Sequence, residues 1–88
     1  MFNEAEVALL KRSPYIINQL NRHDATLYSP ITGHDWIIVT NYGGPDCFIL
    51  HRHSSREPYH RQKGKYKSLK DALQYINRHE KWFIDHKM

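Results

Sequence analysis

His51-Arg52-His53 is the first place in this chain where residue type and spacing could do chemistry. On a strand, side chains two apart share a face, so the two imidazoles would stand about 6.6 Å apart along it. They offer two metal-ligating nitrogens, or two groups that exchange protons near neutral pH. His60 is a third candidate. Zinc takes three or four ligands, commonly with an acidic partner behind them. No carboxylate or cysteine stands at a matching spacing, with Cys47 four residues from His51, so the sequence implies neither a metal nor a cofactor. Paired histidines beside cations also cleave RNA by general acid–base catalysis. A small metal-independent ribonuclease would use His51, His53 and His60. Nothing in their spacing demands an enzyme, and a non-enzymatic protein is the reading preferred.

Charge gives a second signal. Residues 1–44 carry a net −1 and residues 45–88 a net +5, which together make the +4 of the whole chain. Within 51–70, Arg52, Arg56, Arg61, Lys63, Lys65, Lys67 and Lys70 are opposed by Glu57 alone. Tyr59-His60-Arg61-Gln62-Lys63-Gly64-Lys65-Tyr66-Lys67 interleaves rings with cations, a composition that neutralises phosphate while aromatic groups meet sugar or base. The function expected is therefore a small basic nucleic-acid-binding module, DNA and RNA both being open, that contacts the phosphate backbone through 51–70. A solvated basic loop that keeps the protein soluble explains the same residues. The alternative is a protein–protein role: a phage or mobile-element accessory or inhibitory protein docking on a host protein or ribonucleoprotein through Tyr59, Tyr66, Trp82 and Phe83.

The segment 64–76, Gly-Lys-Tyr-Lys-Ser-Leu-Lys-Asp-Ala-Leu-Gln-Tyr-Ile, resembles the strand-into-helix junction of three-stranded-sheet-plus-helix DNA-binding domains, among them the arm-type domains of phage integrases and plant AP2 domains. It is also similar to junctions in small phage-encoded proteins of other function. The resemblance implies a sheet lying in the major groove, backed by the helix, with Arg52, Arg61 and Lys65 toward DNA. The N-terminal helical segment departs from that pattern, because helices on the sheet's second face would block the groove.

These side chains must be positioned by a short list of elements. Asn3 precedes Glu4-Ala5-Glu6, so its side chain can cap a helix at the N–H of Glu6, and Ser13-Pro14 stops that helix. The same dipeptide can start a second short helix with Ile16, Ile17 and Leu20 inward, so residues 4–22 read as one broken helix or two. Residues 23–34 read as a connector, with an extended piece at Thr26–Tyr28. Trp36–Tyr42 and Cys47–Leu50 are β-branched and aromatic, and Gly43-Gly44-Pro45-Asp46 turns between them. Trp36 and Tyr42 on one strand face suit a core under the N-terminal helices better than a platform for bases. Lys65-Tyr66-Lys67 reads as a third strand running into a helix capped by Ser68 and Asp71, with Leu69, Ala72, Leu73 and Ile76 in one stripe that extends toward Phe83. The expected fold is α+β: a three-stranded antiparallel sheet, a C-terminal helix on one face and a broken N-terminal helical segment covering part of the other, in the order α(α)βββα.

Eighty-eight residues support a single domain, 1–88, and exclude a large multi-site enzyme. With 40% hydrophobic residues the chain should fold. Runs such as Ile37-Ile38-Val39 fall far short of the ~20 apolar residues of a membrane span or the about 7–15 of a signal peptide, so a soluble, cytoplasmic protein is expected. The single Cys47, followed by Phe48, Ile49 and Leu50, reads as a reduced, partly buried thiol.

Overall fold

The computed structural model describes residues 2–40 and 46–86. Helix α1 spans Glu4–Arg12. Its first turn is closed by a reciprocal pair: the Glu6 N–H donates to the Asn3 side chain at 2.8 Å, and the Asn3 N–H donates to the Glu6 carboxylate at 3.0 Å. Glu4 and Glu6 sit at the positive end of the helix dipole, and Lys11 and Arg12 at the negative end. The backbone N–H and hydroxyl of Ser13 both donate to the Leu10 carbonyl, and Pro14 cannot extend the ladder.

The chain does not restart as a helix after Pro14. Residues Ile16–Leu20 form strand β1, paired antiparallel with β2, Asp24–Tyr28, across a turn in which Asn21 bonds Asp24 through backbone and side chain. Ile16 and Ile17 are β-branched, and β1 is an outer strand that is mostly exposed. Its register is set by β2 rather than by an amphipathic pattern of its own. Strands β3, Asp35–Thr40, and β4, Cys47–Arg52, form the expected hairpin; Asn41 to Pro45, including Tyr42 and the glycine turn, lie outside the described residues.

The third expected strand also needs correction. A short strand β5, His60–Arg61, pairs with His51 and Leu50, and the chain then swings out before Tyr66 bridges back to Cys47. The excursion is centred on Gly64, whose φ of +94° lies in the left-handed region that glycine tolerates. The described sheet thus has five strands in the order β1-β2-β3-β4-β5 rather than three. A register irregularity between Ile17 and Gln19 on the β1 edge, and the charged side chains beside β5, discourage pairing with another chain.

Helix α2 spans Leu69–Asp85, and the Ser68 hydroxyl accepts from the Asp71 N–H. Leu69, Ala72, Leu73 and Ile76 are buried as the stripe requires, and the stripe continues through Glu80 to half-buried Phe83. They pack on the sheet face built by Ala25, Leu27, Trp36, Ile38, Cys47 and Ile49. Phe2 and Leu10 join the same core cluster, and the Leu69 N–H bonds the Glu6 carboxylate. Both helices therefore cover one face, contrary to the expectation that the N-terminal segment would cover the other. With 16–20 drawn into the sheet, α1 alone remains helical and packs beside α2, with Leu10 fully buried in the shared core. Among the described residues no helix is long and apolar enough to cross a membrane.

Candidate nucleic-acid interface and histidine cluster

Strand alternation and register decide what the uncovered face presents. Cross-strand partners share a face, so Tyr28↔Asp35↔Arg52, Thr26↔Ile37↔Leu50↔Arg61 and Val39↔Phe48 run across it as three rows. Tyr28, Ile37, Val39, Phe48 and Leu50 are half-buried, and none of them belongs to the core cluster under the helices. The Arg61 guanidinium lies over the Phe48 ring at 4.5 Å, and that of Arg52 over the Tyr59 ring at 4.3 Å. Arg52 also donates through Nε to the Asp35 carboxylate at 2.8 Å.

The seven cations of 51–70 separate into groups. Arg52 and Arg61 stand together on the open face. Exposed Lys63 and Lys65 flank Gly64 on the excursion beyond β5, and exposed Arg56 occupies the β4–β5 turn. Lys67 directly precedes the α2 cap. Lys70 is on the helical side, lining a groove with Arg12, Pro14 and Asn77. Tyr66, offered as a partner anchor, packs against the core and against Tyr75 at 5.1 Å. Trp82 is 55% exposed and stacks on His86, whereas Phe83 turns toward the histidines.

The histidines meet on the covered side of the sheet. His51 pairs with Trp36 across β3 and β4, and their rings stack at 3.8 Å and 16°. Its Nε2 lies 3.0 Å from Nδ1 of His34, a residue that the sequence did not single out. His53, one step beyond β4, stacks on His34 at 4.6 Å. One nitrogen from each of His34, His51 and His53 lies within 4.8 Å of the other two. His60 faces His51 across the β4–β5 ladder but is exposed. It lines a cleft of about 520 Å³ together with His51, His53, Glu57, Gln62, His79 and Phe83.

The position of His34 follows from a buried acid. Glu80, 5% exposed on α2, accepts hydrogen bonds from Ser29 and Thr32 hydroxyls and from the Trp36 indole N–H. It thereby ties the β2–β3 loop to the helix, and Gly33 closes that loop at φ +77°. His34 enters β3 with Nδ1 3.9 Å from the Glu80 carboxylate. Burial first, then the neighbouring imidazoles of His34, His53, His79 and His60, push the His51 pKa down to about 3. Its ring is neutral at physiological pH. Burial also lowers the pKa of His79, with Arg78 adding to the effect.

The missed residue had a weak signal. His34 and His51 are 17 positions apart, and the register Trp36↔His51 brings them together through a pairing that residue types alone do not specify. No family model, curated protein or solved structure matches this chain.

Proposed function

We propose that the protein is a small nucleic-acid-binding module that uses the open sheet face and its β5 edge. The observation that carries this reading is the packing of both helices on one face, so that the opposite face carries neither helix and holds Arg52 and Arg61 over aromatic rings. Tyr28, Phe48 and Tyr59 offer π-faces to bases or sugars, and Arg61, Lys63 and Lys65 supply charge to the phosphates. Neither helix stands between this face and a groove. Arg52 is partly neutralised by Asp35 and acts mainly as a planar stacking group.

Fluorescence anisotropy of a labelled oligonucleotide, in single-stranded and duplex form, tests the reading. Affinity should fall between about 50 and 200 mM salt with a slope near 0.9 per phosphate contacted on duplex DNA, or about 0.7 on single strands. Absence of binding to either form at the lower salt, or binding indifferent to salt, would overturn it.

A second reading has one observation in its favour. Exposed Trp82 borders a groove of about 420 Å³ lined also by Tyr75, Arg78, His79 and Phe83. An exposed Trp beside a largely apolar recess suits a protein partner, as an accessory or inhibitory protein would require. Trp82→Ala should abolish a protein contact while leaving oligonucleotide binding intact.

A further inference from the structure

We propose that His34, His51 and His53 form a three-imidazole site for a divalent transition-metal ion, with zinc the best fit. The ligand-capable nitrogens converge to within 4.8 Å of one another. Around a tetrahedral ion with nitrogens at about 2.0–2.1 Å, such atoms stand about 3.4 Å apart. The 3.0 Å between His34 and His51 is already near that separation, and rotation of the exposed His53 supplies the remainder.

Two of the rings are held before any ion arrives. His34 and His51 are 8% and 6% exposed. Trp36 stacks on His51, and the edge of Phe83 meets His34 at 4.5 Å and 74°. An uncompensated dication is costly beside a core, and Glu80 offsets it with a negative charge 3.9 Å from His34 Nδ1, the nitrogen that faces His51, its carboxylate held by the donors of Ser29, Thr32 and Trp36.

Imidazole nitrogens select zinc and its neighbours over calcium and magnesium, which favour oxygen. Cys47, four residues along β4 from His51, is about 13 Å away and takes no part. Three protein ligands leave a fourth position for water, on the side of His53 and the cleft it shares with His60 and Glu57. The site lies on the helical side of the sheet and stands independently of the nucleic-acid reading.

The test is titration of chelator-treated protein with Co²⁺ followed by visible absorption, then with Zn²⁺ by calorimetry. One equivalent of Co²⁺ should give the d–d bands of a four-coordinate site, and Zn²⁺ should bleach them. His53→Ala, an exposed substitution whose fold is checked by circular dichroism, should weaken both metals at least about tenfold. His60→Ala should change affinity less than about twofold. Absence of bands and of heat at one equivalent would overturn the proposal, as would a site lost in His60→Ala but intact in His53→Ala.

Discussion

Nδ1 of His34 lies 3.0 Å from Nε2 of His51, two imidazole nitrogens facing each other beneath a helix that carries a buried Glu80. One of the two must donate and the other accept, so the pair cannot hold a proton on both facing nitrogens. This contact joins the sheet register to the loop between β2 and β3, and it makes the covered side of the sheet sensitive to charge.

Acid should therefore destabilise the metal-free protein. His51 has an ordinary pKa of 6.5 and a folded-state pKa of about 3. Between those values the unfolded chain binds the extra proton, so stability rises with pH across that window. It is fully present above pH ~6.5 and is lost as pH falls toward ~3, by a few kcal/mol since each pKa unit is worth ~1.4 kcal/mol. Urea unfolding in the presence of a chelator should show the midpoint falling from pH ~7 to pH ~4, with a shallower fall in His51→Phe. Equal slopes in the two proteins would remove His51 as the cause.

Glu80 holds Ser29, Thr32 and Trp36 at once. Glu80→Ala leaves three donors without their acceptor and should cost about 2–4 kcal/mol in urea unfolding, a large part of the ~5–15 kcal/mol that such domains possess. Glu80→Gln keeps one acceptor oxygen and should fall between this variant and the natural protein. A loss below about 0.5 kcal/mol in the alanine variant would show that the network adds little.

The Cys47 thiol should be inert in the folded state. It is buried, and burial first, then the charges of Glu6 and Asp46, raise its pKa to about 11. Thiolate is the reactive form. Iodoacetamide at pH ~8 should leave native protein unmodified by mass spectrometry and alkylate it fully in urea. Rapid labelling without denaturant would contradict the packing around β4.

The open face makes a further mutational prediction. Phe48→Ala removes the ring beneath Arg61 and should weaken oligonucleotide binding by about 1–3 kcal/mol, the range measured for single stacking contacts. Arg61→Ala should weaken it and also lower the salt slope by about one phosphate. Lys70→Ala, on the helical side, should change Kd by less than about twofold. Anisotropy titrations of the three variants check this.

Local signals were readable wherever one element determines its own state. Asn3, Ser68 and the Leu69–Ile76 stripe announced both helices, and the β-branched run at Trp36–Val39 announced the central hairpin. The remainder depended on pairing. Ser13-Pro14 suits a helix start as well as a stop, so β1 emerges from its ladder with β2, not from its largely exposed side chains. Strand β5 is two exposed cationic-type residues whose extended state comes from β4. For the candidate sites, Arg52 and Arg61 were visible as charges and His51 with His53 as a spacing. The face each pair occupies, and the arrival of His34 beside them, required the five-strand register. Glu80 was hidden for a related reason: an acid on an apolar stripe reads as solvent-facing until the loop donors that satisfy it are known.

Binding of nucleic acid on the open sheet face is tested most directly by a two-dimensional ¹⁵N–¹H spectrum of labelled protein during titration with a short oligonucleotide. Shift changes should concentrate at Tyr28, Ile37, Phe48, Leu50 and Arg61 and on the Lys63–Lys65 excursion, with α2 little affected. Changes confined to Arg78, Trp82 and their neighbours on α2, or a spectrum unmoved at low salt, would contradict it.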